Sequence, residues 1–423
     1  MVIAAISLVV FVGAILLQNV LIRINTPFWG LFGNHLDLDV YRAGAQTVLD
    51  GGSLYDAKLL GQMDYTYAPI SALLFIPFAW MSFDVARIVW TAAIFVALYL
   101  VMMLSFRSLG RQPSWMLRTV ALALVAVAML LEPVRTTIWY GQVNVFLMLL
   151  ILADLLRPDD SRLRGVGAGI AAGIKLTPLL FVVYLWLVQR KRAAIGVLAG
   201  FAGTIVVGAI ALPRESLAYW TGKMFDANRV SGPQTVGNQS IRGLLANSLH
   251  SDHPNTILWG LLALVALAVG LYAAVLAHRN GQELLALSIT GMTSCAVSPV
   301  AWGHHWVWFV PLLAIGINLV LRQDLSTRNR ALAGVGVTAL VLTALAWRTY
   351  ISHPIWYVNR SVPDAYFTGL FFKNGIEWLR WFTYYPYNAI FLGTVIATIV
   401  VYRTRRSVAD DAARDRDTHL GAA

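Results

Sequence analysis

The chain has 423 residues, is 58% hydrophobic and only 13% charged, and has a mean hydropathy of +0.66. These values exclude a soluble globular protein, which needs far less apolar sequence to fill its core. The formal net charge of +11 does not indicate a nucleic-acid partner, because the basic residues are spread over many short loops. The single cysteine, Cys295, cannot form an intramolecular disulfide.

Apolar runs recur along almost the whole chain, and a run of roughly 17 to 25 residues crosses the hydrocarbon layer as a helix. The first run has no basic segment before it and no small-residue cleavage motif, so we expect a retained span. The sequence therefore predicts an all-α, polytopic membrane protein with about ten full transmembrane helices. The predicted spans are 2–22, 84–106, 116–132, 144–156, 193–212, 256–277, 283–298, 306–321, 331–347 and 387–402. Residues 67–81 are too short and proline-broken for a further span and are expected to be re-entrant or interfacial.

Basic residues cluster in alternate loops, which the positive-inside rule assigns to the cytoplasm. Both termini are then expected in the cytoplasm, and the outer face of the plasma membrane receives three long loops. These loops lie at about 23–68, 213–255 and 348–386, within a single membrane-embedded domain of residues 1–402. Residues 403–423 are expected to form a polar, disordered cytoplasmic tail.

One segment, residues 165–188, has basic clusters on both sides although it is long enough for only one ordinary span. Two short helices that turn within residues 174–178 restore the alternation, and Thr177-Pro178 supplies the helix break. Such non-helical backbone is tolerated at membrane depth only inside protein or beside a wet cavity. We therefore expect a hairpin with Lys175 at its outward-facing tip.

Polar residues gather on the predicted outer side in five places, which indicates a site on that face. They are Asp37 and Asp39 in "HLDLDVYRAG", Gln142 and Asn144 in "WYGQVN", Lys175 in the hairpin, Asn238 and Gln239 in "TVGNQSIRG", and His304 and His305 in "SPVAWGHHWVWF". Each also has a structural interpretation. The asparagines and glutamines could serve turns and caps, and the lysine could be a snorkelling residue instead of a cation for a lipid phosphate.

The two carboxylates are not expected to share one role, because residues i and i+2 lie about 200° apart on a helix. Either aspartate could instead cap a juxtamembrane helix. Adjacent histidines also diverge, so we expect one to serve the site and the other to bond the backbone, without forming a metal site. The tryptophans Trp302, Trp306 and Trp308 are most simply interpreted as an interfacial belt.

The motifs taken together resemble a known family. "DLDVYRAGAQTVLDGGSLYD", "YTYAPISALLFIPFAW", "YGQVNVFLMLLILAD", "GIKLTP", "GNQSIRG" and "SPVAWGHHWVW" occur in the same order as in the polyprenyl-phosphate-mannose-dependent mannosyltransferases of glycosyltransferase family 87, in the GT-C superfamily. The resemblance covers roughly residues 30–320. It is strongest to α-(1→2)-mannosyltransferases acting on phosphatidylinositol mannosides, lipomannan and lipoarabinomannan.

The resemblance implies a GT-C-like catalytic domain that transfers mannose, with inversion, from a polyprenyl-phosphate donor to a glycolipid acceptor. It implies that Asp37 is the essential carboxylate, acting as general base, and leaves Asp39 as a secondary candidate. Lys175, Arg135 and one of the two histidines His304 and His305 are expected to stabilise the leaving phosphate. The remaining expected substrate contacts are Tyr67, Gln142, Asn144, Asn238 and Gln239.

Two alternatives stay open at this point. A polyprenyl-phosphate-arabinose-dependent arabinofuranosyltransferase belongs to the same family, and a lipid or glycolipid transporter also uses broken helices with polar tips. The transporter is disfavoured because the sequence shows no internal repeat and its ionisable residues lie in outer loops. The expected partners are the lipid-linked sugar donor, the glycolipid acceptor and membrane lipids. No cofactor or metal ligand is predicted, and a divalent-metal requirement is left open.

Overall fold

The computed structural model describes residues 2–226, 229–230, 232–357, 360–362, 364–373 and 377–420 and is mostly helical. The helices of the first half are α1 (Val2–Leu21), α2 (Leu36–Leu49), α3 (Pro69–Leu74), α4 (Ile76–Ala79), α5 (Phe83–Ser108), α6 (Trp115–Ala128), α7 (Glu132–Tyr140), α8 (Asn144–Leu155), α9 (Val166–Ile174) and α10 (Leu180–Leu187). Those of the second half are α11 (Lys191–Ala211), α12 (Pro213–Thr221), α13 (Ile241–Ser248), α14 (Thr256–Arg279), α15 (Glu283–Val297), α16 (Phe309–Leu321), α17 (Thr327–Ala344), α18 (Arg380–Tyr384) and α19 (Pro386–Leu420). Short 3-10 helices occur at Thr177–Leu179, Lys223–Phe225, Gly303–His305, Leu370–Phe372 and Glu377–Leu379.

Five helices within the described residues are long and apolar enough to cross a membrane, or six if the bent pair α7 and α8 counts as one span. They are α1, α5, α11, α14 and the part of α19 up to Arg403. Each run predicted as a span contains a helix, but the other helices are shorter or less apolar, so the count of about ten is not confirmed. The run 116–132, for example, is helical only to Ala128, because the chain turns before Glu132 begins α7.

The bend between α7 and α8 is sharp, at 116°. Gly141 ends α7 with a left-handed backbone, φ 70°, which a residue with a side chain adopts only at a cost. A Cβ at this position would also lie 2.8 Å from the Cβ of Leu38 in α2. The glycine thus allows α2 to approach the bend and brings the polar residues of "WYGQVN" next to those of "DLDVY".

The predicted hairpin is present as α9 and α10, with Lys175 between them in an extended conformation. Its two ends lie side by side, because Asp159 forms ion pairs with both Arg164, before α9, and Arg190, after α10. The chain therefore enters and leaves this segment at one level, and Lys175 lies at the opposite end. Helix α9 packs along α11.

The loop of residues 348–386, expected on the outer face, contains strands that the all-α prediction missed. Strand β1 (Arg348–Ile351) pairs antiparallel with β4 (Ala365–Thr368), and β2 (Ile355–Tyr357) pairs antiparallel with β3 (Arg360–Val362). These are short hairpin ladders of β-branched and aromatic residues, too brief to stand out from a loop in the sequence. The last helix, α19, continues to Leu420, past the start of the tail that the sequence predicts to be disordered.

The tryptophans after α15 do not form the expected interfacial belt. Trp306 and Trp308 are buried in the main core, and the ring of Trp308 packs against the backbone of Gly291. Trp302 lines a cavity between the outer loops. The belt interpretation is therefore wrong for this segment, whose indoles fill the protein interior.

Candidate active site

A cavity of about 720 Å³ lies where α2, α7, the hairpin tip and the predicted outer loops meet. All three of these loops contribute to its wall. Seven of the predicted site residues line it: Asp37, Tyr67, Arg135, Gln142, Lys175, His304 and His305. Four of the five polar motifs thus place predicted site residues at this cavity, and the motif with Asn238 and Gln239 does not.

Helix α2 directs Asp37 into this cavity. The helix begins after His35, whose backbone is left-handed at φ 59° and whose Nε2 lies 2.9 Å from the Thr91 hydroxyl of α5. The carboxylate of Asp37 accepts a hydrogen bond from the side-chain amide of Gln142. The first turn of a helix also favours a carboxylate, because the helix dipole is positive there.

The amide oxygen of Gln142 is held in turn by two phenols. Tyr41 donates to it at 2.9 Å and Tyr67 at 3.2 Å, and the two hydroxyls lie 3.0 Å apart. With its oxygen engaged in this way, Gln142 is fixed with its NH₂ group toward Asp37. Tyr41 is a part of the site that the sequence analysis missed, although it lies within the quoted "DLDVY" motif.

The hairpin tip joins the same network. The ammonium of Lys175 donates to Asn144 Oδ1 at 2.9 Å, and Asn144 Nδ2 donates to the backbone oxygen of His304 at 2.9 Å. Asn144 also lies 3.4 Å from the amide oxygen of Gln142. A continuous chain of side chains thus connects the carboxylate of Asp37 to the cation at the hairpin tip.

Burial raises the pKa of Asp37 to about 7, while the Gln142 hydrogen bond and the charge of Lys175 act in the opposite direction. A carboxylate with such a pKa is present in both protonation states near neutral pH. It can accept a proton and release it again, which is the property that a general base needs.

The two histidines both line the cavity, so the structure does not separate a site histidine from a backbone-bonded one. Their rings lie 4.8 Å apart at 75° to each other. Burial holds the pKa of His304 and of His305 well below the usual range, and the charge of Lys175 lowers both further. Neutral imidazoles contribute hydrogen bonds and no net charge, and that one of them helps to neutralise a phosphate stays a prediction.

Asp39 points away from the cavity. Its carboxylate pairs with Arg42 at 3.1 Å, and Arg42 also donates to the backbone oxygens of Phe78 and Met81. This divergence from Asp37 follows the i, i+2 spacing. Within the described residues, no group of three or more His, Cys, Asp or Glu side chains is arranged to hold a metal ion.

Asn238 and Gln239 do not line the cavity either, although the sequence predicted substrate contacts for both. Asn238 Oδ1 accepts from the backbone N–H of Ala301 at 3.0 Å, and Gln239 Nε2 donates to the backbone oxygen of Tyr384 at 2.9 Å. Both side chains are fully buried. Their hydrogen bonds hold the loop of residues 213–255 against neighbouring segments, so their role is structural.

Glu132 is an acidic group of the cavity that sequence reasoning missed. It lies at the start of α7, is buried, and accepts hydrogen bonds from Tyr387 and, at 3.0 Å, from Thr136. The sequence placed it at the end of an apolar run. The available signal was an ionisable residue inside such a run, directly before Pro133.

Comparison with known proteins identifies the family of this chain. The family model for glycosyltransferase family 87 matches residues 65–299. A polyprenol-phosphate-mannose-dependent alpha-(1-2)-phosphatidylinositol mannoside mannosyltransferase of Mycobacterium tuberculosis is 33% identical over 73% of this chain and 77% of its own length. The protein of the same name from Mycolicibacterium smegmatis is 34% identical over 75% and 78%.

A polyprenol-phosphate-mannose-dependent alpha-(1-2)-phosphatidylinositol pentamannoside mannosyltransferase from Mycolicibacterium smegmatis is 33% identical, over 77% of this chain and 80% of its own length. No solved structure matches the chain. The family match covers more than half of the 423 residues, and it includes Gln142, Asn144 and Lys175 of the cavity network. The chain belongs to glycosyltransferase family 87, a family of membrane glycosyltransferases.

Proposed function

We propose that this protein transfers mannose from polyprenyl-phosphate mannose to a lipid-linked mannoside, such as a phosphatidylinositol mannoside, lipomannan or lipoarabinomannan. The names of the relatives supply the donor and the first of these acceptors. The single observation that carries the proposal is the cavity network, in which the half-buried carboxylate of Asp37 and the half-buried ammonium of Lys175 are connected through Gln142 and Asn144.

In the proposed step, Asp37 removes the proton from the acceptor hydroxyl while the hydroxyl oxygen attacks the anomeric carbon of the donor. The bond between that carbon and the phosphate oxygen breaks, and the polyprenyl phosphate leaves with the electron pair. A base in this position contributes roughly 10²- to 10⁴-fold to the rate. Attack from the face opposite the phosphate converts a β-linked donor into an α-linked product.

Lys175 is the group that stabilises the leaving phosphate. The phosphate is a stable anion, so it needs a nearby positive charge more than a proton. The two histidines are neutral at this site and serve as hydrogen-bonding groups. Lys175 lies at the tip of the hairpin, at the end opposite the ion pairs of Asp159. This position allows the headgroup of a membrane-embedded lipid to reach it.

The proposed membrane arrangement places the cavity on the outer face of the plasma membrane, both termini inside, and about ten spans between. Two observations support it. The three loops expected outside line one cavity, and the two ends of the hairpin meet at Asp159 among the basic residues expected inside. An outer-face site requires a donor found there, and a lipid-linked sugar meets that requirement.

Transfer of radiolabel tests this function. Membranes containing the protein are incubated with polyprenyl-phosphate [¹⁴C]mannose or with the corresponding labelled arabinose donor, and the glycolipids are separated. We expect label from the mannose donor to enter glycolipid and to be released by an α-mannosidase. Incorporation from the arabinose donor alone would make the protein an arabinofuranosyltransferase, and incorporation from neither donor would contradict the proposal.

A further inference from the structure

One part of the cavity is not used by the proposed transfer step: the slot between α7 and the third outer loop. One wall is a single face of α7, with residues at helical spacing. These residues are Glu132, Arg135, Thr136, Trp139 and Tyr140. The adjoining wall comes from β4 and the 3-10 helix after it. Its residues are Tyr366, Phe367, Phe371 and Phe372. Trp29 packs against both walls.

The α7 wall offers both kinds of hydrogen-bonding group. The carboxylate of Glu132 accepts from Tyr387 and Thr136, and a carboxylate has further acceptor positions. Arg135 donates through Nη2 to the backbone oxygen of Trp29 at 2.7 Å, while its buried Nε has no hydrogen-bond partner within the described part of the chain. Acceptor capacity and donor capacity thus lie one helical turn apart.

The aromatic groups of the slot are held rigidly. Trp139 stacks on Trp29 with 5.2 Å between ring centroids and 16° between planes. On the other wall, Phe372 lies 4.9 Å from both Phe367 and Phe371. Preformed aromatic surfaces with a few convergent polar groups are typical of small-molecule sites. A pyranose ring matches them, because it has apolar C–H faces and a rim of hydroxyls that donate and accept.

Charge decides against a second phosphate in this slot. The carboxylate of Glu132 would repel an anion in a buried site, where charges interact more strongly than in water. Arg135 stands beside that carboxylate, so the pair offers a second phosphate no net positive charge. A neutral ligand with hydroxyl groups meets no such repulsion. The slot also adjoins Asp37, the proposed general base. Gly141 ends helix α7, and the next residue, Gln142, donates a hydrogen bond to Asp37.

We propose that this slot is a hexopyranose subsite, in which Glu132 accepts from sugar hydroxyls and the guanidinium of Arg135 donates to one. The identity of the sugar as mannose rests on the proposed function. The ring is either the mannosyl group of the donor or the terminal mannosyl group of the acceptor. Both present the same hydroxyl chemistry, and the experiment separates them.

The test compares the purified full-length protein in nanodiscs with Glu132→Gln and, as matched control, Glu283→Gln. Glu283 is also a glutamate held by hydrogen bonds, from Tyr184 at 2.9 Å and His278 at 2.5 Å, but it does not line the cavity. Binding of methyl α-D-mannopyranoside is measured by calorimetry. We expect Glu132→Gln to weaken this binding about 10- to 100-fold, as the loss of a charged hydrogen bond does, and Glu283→Gln to leave it unchanged.

Steady-state kinetics then identify the sugar. A rise in KM for the donor alone places the donor mannosyl group in the slot, and a rise for the acceptor alone places the acceptor there. Phe372→Ala, on the adjoining wall and partly exposed, is the second variant should Glu132→Gln fail to fold, and it should weaken mannoside binding about 10-fold. Unchanged mannoside binding and unchanged KM values in the folded variants would overturn the subsite.

Failure of the subsite is distinguishable from failure of the proposed function. A wild-type protein that binds the mannoside but transfers no mannose would contradict the function and leave the subsite in place. A wild-type protein that transfers mannose, with Glu132→Gln indistinguishable from Glu283→Gln, would contradict the subsite alone.

Discussion

Replacing Gly169 by alanine should displace the hairpin that carries Lys175. Helix α9 lies so close to α11 that a Cβ at Gly169 would be 2.2 Å from the carbonyl oxygen of Val197 and 2.8 Å from the backbone nitrogen of Phe201. Small residues at such crossings are typical of packed membrane helices. A carbon and a carbonyl oxygen normally stay about 3.3 Å apart, so α9 must move by about 1 Å. Neither neighbouring atom can yield, since both belong to the backbone of α11.

The displacement reaches the active site because Lys175 follows directly on the last residue of α9. A misplacement of about 1 Å at a reacting group costs on the order of 100-fold in rate, and overpacking typically destabilises by about 1 to 3 kcal/mol. We therefore expect Gly169→Ala to lower kcat/KM for the lipid-phosphate donor about 100-fold and to lower the melting temperature.

The matched control is Gly203→Ala in α11, where an added Cβ meets open space. Both variants gain the same helix propensity, so only the clash differs. Mannose transfer and thermal unfolding are measured on both proteins in the same detergent. If Gly169→Ala were as active and as stable as Gly203→Ala, the close packing of α9 on α11 would not position Lys175, and the reasoning would be refuted.

Three further predictions concern the pH profile, the start of α2 and the orientation. The value of kcat/KM should rise with pH through about 7, because Asp37 must be deprotonated to act as base and its pKa is about 7. Lys175→Met should shift this rise to higher pH, because the charge of Lys175 lowers the pKa of Asp37. An unchanged pH profile in Lys175→Met would contradict the electrostatic coupling of the two residues. His35→Ala should be less stable than His35→Asn by about 1 kcal/mol, since asparagine tolerates the left-handed backbone better; equal melting temperatures would refute this. A cysteine introduced at the exposed Ser361 should react with a membrane-impermeant thiol reagent in intact cells, and one at the exposed Ser326 should not; labelling at Ser326 would overturn the orientation.

The parts of the site that the sequence predicted well are those tied to local rules. The alternation of basic loops required a hairpin in residues 165–188, and the structure has α9 and α10 there with Lys175 between them. The i, i+2 spacing required Asp37 and Asp39 to diverge, and only Asp37 enters the cavity. Both deductions depend on backbone geometry alone and not on knowledge of neighbouring segments.

The parts that were missed depend on contacts between distant segments. Glu132 lines the cavity from the start of α7, and its partner Tyr387 is 255 residues away along the chain. Asn238 and Gln239 became scaffolding because their backbone partners lie in two other segments. A local sequence pattern does not predict which side-chain amide will face a ligand and which will hold a loop in place.

Hydropathy also could not separate lipid-facing helices from helices enclosed by protein. Helix α15 is apolar and was predicted as a span, but most of its residues are buried among other helices. A helix in such surroundings can be shorter than the bilayer, because its neighbours cover its ends. The sequence reports the apolar character of a run and leaves open what surrounds it.

The most direct test of the central claim is the pair Asp37→Asn and Asp39→Asn, assayed with labelled polyprenyl-phosphate mannose at equal protein concentration. Asparagine keeps the size of aspartate and removes the base, so Asp37→Asn should lose roughly 10²- to 10⁴-fold in transfer rate with unchanged melting temperature. Asp39→Asn should stay within a few-fold of the wild type, because its carboxylate pairs with Arg42 outside the cavity. Near-normal transfer by Asp37→Asn would contradict the account.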